Sequence, residues 1–157
     1  MTKPTITKAE TRSIALFYFF TLFDKNLVYR ATSDTIKFCK REQSRHDKKI
    51  VDNAFLVRAT YKFWQKYKNQ KSRPILELQE IKEAFHIPSD VNFSVWKQFL
   101  KDSQPNISLV VVWSCLLGFT EKEIAEGMEV SHGTVRYRTG KGLKDLAVEL
   151  GVGAGNA

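Results

Sequence analysis

Residues 120 to 146 read "TEKEIAEGMEVSHGTVRYRTGKGLKDL", and two helix starts are written into them eleven positions apart. Thr120 followed by Glu123 makes a capping box, in which the threonine oxygen and the glutamate satisfy free backbone N–H groups at a helix start. Ser131 can cap a second helix after only "MEV". A helix begun at Thr120 therefore has to be short and has to turn at once. Ile124 and Met128 fall on one of its faces, and Ala125 is small where a second helix must cross closely. Val135, Gly142 and Leu146 mark the inner side of the helix that follows.

The charges follow the same division. Glu121, Glu123, Glu126 and Glu129 occupy the first half, whereas Arg136, Arg138, Lys141 and Lys144 fall between Ser131 and Lys144 with no acid among them. Two helices joined by about three residues, the second of them basic, form a helix-turn-helix, whose second helix lies in the major groove of DNA. Arg and Lys would then meet bases or phosphates, and Glu121, Glu126 and Glu129 are expected outside the contact surface.

Elsewhere the chain is also basic. The net charge is +8, and the segment from Lys37 to Arg73 holds 12 Lys and Arg against Glu42, Asp47 and Asp52. Such a field concentrates a polyanion, so nucleic acid is the first partner to consider. The excess is a central block, since residues 74 to 157 are net acidic apart from the stretch just described.

No repeat or low-complexity segment interrupts the chain, and its apolar periodicity is helical almost throughout. Residues 9 to 23 and 26 to 41 read as two helices, and Val51, Phe55, Tyr61 and Trp64 are spaced for a third. "SRP" offers a further start at Pro74, with Ile75, Leu78, Ile81 and Phe85 at helical spacing. Pro88, Ser89 and Asp90 suggest a linker. "FSVWKQFLKD", the turn "SQPN" and the apolar "ISLVVVWSCLL" follow; the valine run has no sheet to join and is expected to be helical. The fold class expected is all-α, with two small helical domains: residues 1 to 87, a linker at 88 to 92, a four-helix domain at 93 to 150, and a flexible tail at 151 to 157.

Cys39 and Cys115 are too far apart to announce a disulfide framework, and each has apolar or aromatic neighbours suited to a buried thiol. A cytoplasmic location is expected. Lys3, Lys8 and Arg12 before "SIALFYFFTLF" imitate the first regions of a secretory signal, but "DKNLVYR" offers no small residues for cleavage. That run is also too short to span a bilayer, so no membrane partner is expected.

The stretch "GFTEKEIAEGMEVSHGTVRYRTGKGLKDL" resembles region 4 of bacterial sigma factors, whose pattern runs G-[LFY]-[ST]-x-x-E-I-A-x-x-[LM]-x-[VI]-S-x-G-T-V-[RK]-x-R. Gly118, Thr120, Glu123, Ile124, Ala125, Met128, Val130, Ser131, Gly133, Thr134, Val135, Arg136 and Arg138 fit it. "GKGLKDL" is similar to the "AKALRKL" ending of housekeeping members, and "VWKQFLKDSQPNISLVVVWSCLLG" has the layout of the helices before the motif. The resemblance covers about residues 93 to 150. It implies recognition of the upstream promoter element in double-stranded DNA and docking on the RNA polymerase core. By position, His132, Gly133, Thr134, Arg136 and Tyr137 would reach base edges or the groove, beside the capping Ser131. Arg138, Lys141 and Lys144 would hold phosphates, as would Thr120 and Lys122 at the first helix start.

Three departures bear on the second helix. Glu129 stands where the family has glycine in the turn, and a left-handed non-glycine costs about 1–2 kcal/mol. Arg138 and Thr139 replace a single apolar residue that seats the helix. Gly140 and Gly142 weaken it by up to about 1 kcal/mol each. A helix that is short, loosely docked, or ordered only on DNA is expected.

Residues 1 to 87 are only faintly similar to region 2 of extracytoplasmic-function sigma factors, because the acidic-and-glutamine signature is not recognisable in "RATSDTIKFCKR". Phe38, Phe55, Tyr61, Phe63, Trp64 and Tyr67 are interleaved with cations as a base-stacking surface requires. Arg58, Lys62, Trp64, Lys66, Lys68 and Lys71 are thus a candidate second nucleic-acid surface. Helical spacing alone generates the same pattern with rings in the core and lysines in water.

The functions open to such a chain are a sigma-like transcription factor, a standalone helix-turn-helix regulator of response-regulator or phage late-activator type, and a degenerate sigma-like module that binds protein without reading DNA. An enzyme is not expected. His46, His86 and His132 are scattered, Cys39 and His46 lack zinc spacing, and neither a glycine-rich phosphate loop nor a nucleophile elbow occurs, so no cofactor is expected.

Overall fold

The computed structural model describes residues 6–45, 51–70, 82–83, 86–88 and 93–151. The described residues form helices and turns and no strand. Those are α1 (Lys8–Leu22), α2 (Lys25–Arg45), α3 (Asn53–Tyr67), α4 (Ser94–Asp102), α5 (Pro105–Val111), α6 (Glu121–Met128) and α7 (His132–Glu149). Most of the helix expected from Pro74 to Phe85 lies outside the described residues, Lys82 and Glu83 being helical, as do most of the 88–92 linker, His46 and the tail beyond residue 151. No helix among the described residues is long and apolar enough to cross a membrane.

Local chemistry accounts for most of the boundaries. Thr7 and Glu10 form a capping box at α1, with Thr7 N donating to Glu10 Oε2 at 2.8 Å. Phe23 closes that helix in the left-handed region at φ 51°, and Asp24 then caps α2 by accepting from Leu27 N at 2.9 Å. Asp52 does the same for α3 through Phe55 N at 2.8 Å. Pro105 occupies the first turn of α5, where its missing N–H has no partner to lose.

The valine run is helical, as expected, but it does not end as an α-helix. Val112–Leu116 form a π-helical turn closed by Leu117 N to Val112 O at 3.0 Å. This turn carries Trp113 inward to complete burial and leaves Cys115 and Leu116 exposed. Cys39 is a buried thiol, as anticipated, and burial pushes its pKa up to about 12. Cys115 is not, because the widened turn rotates it outward.

Helices from both sides of residues 88–92 contribute to one buried cluster, which runs from Ile14 through Val57 and Trp113 to Val135. Phe17 stacks on Trp113 with ring centroids 5.3 Å apart, and Trp96 Nε1 donates to Phe20 O at 2.7 Å. Trp113 Nε1 donates to Thr60 Oγ1 at 3.1 Å, while Thr60 Oγ1 donates to Leu56 O at 2.6 Å. The Tyr18 hydroxyl meets Thr35 Oγ1 and lies 3.3 Å from Thr60 O. A short polar chain thus crosses the core from α1 and α2 through α3 to the π turn. Desolvation raises the Tyr18 pKa, so this hydroxyl stays protonated.

Helix α6 rests on α3 at Gly127. A Cβ there would come within 2.5 Å of Val57 Cβ and 2.6 Å of the Ala54 carbonyl oxygen. Sequence reasoning singled out Ala125 for this closeness; Ala125 is buried, but the tightest approach is at Gly127.

Two substitutions test this joint by chemical denaturation. Gly127→Ala is expected to destabilise the protein by about 1–3 kcal/mol or more, because backbone as well as side chain must move. Thr60→Val should cost about 1–3 kcal/mol by stranding the Trp113 N–H in the core. Wild-type midpoints in both would refute the packing described.

Candidate nucleic-acid interface

The first helix of the motif is built as its sequence demands. Thr120 N donates to Glu123 Oε1 at 2.9 Å and Glu123 N donates to Thr120 Oγ1 at 3.1 Å, so the threonine hydroxyl is already engaged. Ile124, Ala125 and Gly127 are buried. The helix closes as a Schellman motif, with Val130 N donating to Ala125 O at 3.0 Å and Glu129 N to Glu126 O at 3.4 Å. Glu129 is left-handed, at φ 57°. The conformation that glycine supplies at no steric cost is therefore adopted by a glutamate, against the penalty anticipated above.

Ser131 caps α7 by accepting from Thr134 N at 3.1 Å, and its Oγ lies 2.9 Å from Thr134 Oγ1. Both hydroxyls are thus partnered within the cap. Helix α7 then runs unbroken for 18 residues, which corrects the expectation of a short or loosely docked helix. Gly142 explains much of this. A Cβ there would lie 2.4 Å from Val111 Cγ2 and 3.1 Å from Ile107 Cγ2, so this glycine brings α7 down onto α5. Val135 is completely buried, and the half-buried Thr139 turns its hydroxyl back to Val135 O at 2.9 Å. Gly140, by contrast, faces open space.

With one side so seated, the outward side of α7 presents His132, Gly133, Arg136, Tyr137, Lys141 and Lys144, all exposed. Tyr137, a large ring at the centre of this helix face, is 66% exposed. Arg138 and Thr134 are half-buried at the flanks. Lys122 is exposed near the start of α6. Lys141 carries an ion pair to Asp145 at 2.8 Å, which raises its pKa through that hydrogen bond.

One contact was not legible in the sequence. Arg136 Nε and Nη2 donate to Glu121 Oε2 and Oε1 at 3.3 and 3.1 Å, and the hydrogen bonds raise the arginine pKa. Glu121 was expected outside the contact surface; its half-buried carboxylate pairs with Arg136, while Glu126 and Glu129 are exposed. Nothing local could reveal a pair 15 residues apart that forms only once the two helices cross.

The charge changes sign along α7. Around its C-terminal end a cavity of about 290 Å³ is lined by Phe99, Asp102, Ser103, Asp145, Val148 and Glu149. Desolvation and the neighbouring Asp102 raise the Glu149 pKa. A polyanion is therefore favoured only over the N-terminal and middle turns of the helix.

In the central basic block the structure places cations outside and rings inside. Trp64 is buried, with Tyr61 stacked against it at 6.0 Å and Lys68 Nζ 5.1 Å from its ring centroid. Phe38 stacks on Phe55 and meets Phe63 edge-on, under Lys62 Nζ at 4.3 Å. Lys66 is paired with Asp34 at 2.9 Å, and that carboxylate also accepts from the Tyr67 hydroxyl. The Tyr67 hydrogen bond, with Lys66, holds the Asp34 carboxyl below its usual range. Arg58 is exposed, and Lys71 lies outside the described residues.

Comparison with protein-family models, with curated proteins and with solved structures finds no match to the chain.

The two glycines of α7 separate packing from propensity. Gly140→Ala is expected to raise stability by up to about 1 kcal/mol, as an exposed helical glycine should. Gly142→Ala should lower it by about 1–3 kcal/mol through overpacking against Val111. Thermal unfolding of the two variants checks this, and shifts of the same sign would contradict the docking of α7.

Proposed function

We propose that the chain is a sigma-like transcription factor that binds promoter DNA with α7 in the major groove and contacts RNA polymerase. The observation that carries this reading is the two-sidedness of α7. Val135 and Gly142 fix one side to the fold, and His132, Arg136, Tyr137, Lys141 and Lys144 are exposed on the other, Arg136 and Lys141 each beside a carboxylate. A helix so presented can enter the groove without repacking, and its Lys residues reach phosphates as the groove walls close on it. Lys122, exposed on the first turn of α6, is a further cation that a phosphate could meet.

A second reading is favoured by one specific feature. The α6–α7 pair does not stand apart from the N-terminal helices, since α6 is packed on α3 at Gly127 and Trp113 is bonded to Thr60. That continuity suits a standalone helix-turn-helix regulator, in which α1 to α3 are scaffold rather than a separate polymerase-binding unit.

The test begins with selection of duplexes from a random pool by the full-length protein, followed by titration over a range of salt. A retained sequence motif and salt-dependent affinity are expected; no retained duplex at moderate salt would remove the DNA-binding reading and leave a protein-interaction module. Lys144→Ala should lower affinity for all duplexes alike and reduce the slope of log K against log salt by about 1. Co-elution with bacterial core RNA polymerase divides the two readings. A stable complex supports the sigma-like one, and its absence supports the standalone regulator.

A further inference from the structure

A guanidinium has two edges that can each make a paired hydrogen bond, one through Nε and Nη2, the other through Nη1 and Nη2. In this protein Glu121 takes the first edge of Arg136. The second is directed away from the carboxylate, on a side chain that is 73% exposed. We propose that Glu121 is a positioning residue that presents Arg136 to a guanine, and so sets the preferred base at one position of the DNA site. The inference rests on the DNA-binding reading above.

Three features support it. First, the carboxylate sits on a fixed support: Glu121 is the first residue of α6, set between the two members of the Thr120–Glu123 capping box, and α6 is itself locked on α3 by Gly127. Second, contact at both Nε and Nη2 fixes the plane of the guanidinium as well as its position, whereas a single hydrogen bond would leave it free to rotate. Third, the edge left over has the geometry of the acceptor pair O6 and N7 of guanine in the major groove, and no other base offers two acceptors side by side there. An unsupported arginine on an exposed helix face samples many rotamers and reaches phosphates as readily as bases. Held by Glu121, it loses that choice. The carboxylate also sets a negative charge beside the helix, which disfavours a phosphate there and leaves the base edge as the better partner.

The acid was not placed there by the helix cap. Glu123 completes the capping box, and Glu121 takes part in neither of its hydrogen bonds. As a stabilising ion pair it is worth little, because water and salt screen an exposed pair and holding two side chains together costs entropy. Specificity is the role in which this geometry has a large effect.

The experiment uses the full-length protein and duplexes that carry the selected motif with a change at one base pair at a time. Arg136→Ala identifies the position it reads, as the one where discrimination disappears. Wild type is expected to prefer guanine there by roughly tenfold or more. Glu121→Gln, which keeps shape and removes charge, should lose most of that preference at this position alone. Arg136→Lys should lose it as well, because an ammonium cannot pair with both acceptors. Glu121→Asp gives a second measurement if the glutamine variant folds poorly, with the same loss expected from the shorter reach. A purely structural contact would instead weaken every duplex equally, as Val135→Ala is expected to do. Equal loss at all positions, an unaltered preference in both Glu121 variants, or a preferred base other than guanine would each overturn the inference while leaving DNA binding in place. A wild-type protein that selects no duplex would overturn this inference together with the reading on which it rests.

Discussion

Trp113 is the residue on which the arrangement of the two halves turns. Its indole is fully buried, stacks on Phe17 of α1, and hydrogen-bonds Thr60 of α3, so one side chain ties the segment before α6 to two N-terminal helices. An indole N–H in an apolar core needs a partner, and a threonine in a helix interior is a costly way to supply one. Thr60 resolves both needs, because its own proton goes to Leu56 O and its lone pair receives Trp113. The π turn follows from the same requirement in geometric terms. It lets a helix that begins as a run of buried valines deliver a large ring at one bearing and then leave through Gly118, at φ 73°, toward Thr120.

From that anchor the position of α7 is determined by small residues. Gly127 lets α6 touch α3, and Gly142 lets α7 touch α5; neither contact needs a large apolar side chain on the helix that carries the charges. This is why α7 can be so polar and still be fixed. Its completely buried apolar residue is Val135, near the start, and the rest of the docking combines the close backbone approach at Gly142 with the half-buried Leu146 and Ala147. The glycines that look unfavourable by helix propensity are of two kinds: Gly142 is required by the approach, and Gly140 is not.

The parts of this structure that were legible in the sequence are those governed by residues three or four apart. The capping box at Thr120, the short first helix and the inward Val135 and Gly142 all belong to that class, whereas the left-handed Glu129 was anticipated from the resemblance to a family pattern with glycine there. The helical reading of the valine run also held, since a strand there had nothing to pair with. What escaped depends on which helices meet. Whether the ring of Trp64 faces water or the core is not encoded in its spacing from Lys62 and Lys68, and the structure buries it against Tyr61. The outward rotation of Cys115 needed the π turn, and the closeness at Gly127 needed α3 as a neighbour. The Glu121–Arg136 pair needed the crossing of α6 and α7.

The electrostatics of the whole chain bear on how such an interface would work. A net charge of +8 draws a polyanion toward the protein, and exposed cations of the central block such as Arg58 and Lys62 contribute to that field without supplying a groove-reading helix. Sequence-independent attraction is therefore abundant, and discrimination has to come from groups that do not simply add positive charge. In the proposed reading the acids around α7 would do this. Glu121 engages one edge of Arg136, Asp145 engages Lys141, and Asp102 and Glu149 make the far end of the helix unattractive to phosphate. Of the cations on the exposed face, Lys144 would be left to follow a DNA backbone, while Arg136, one edge of which is engaged by Glu121, would offer the other to a base. A strongly basic protein gains selectivity by constraining its arginines more readily than by adding to them.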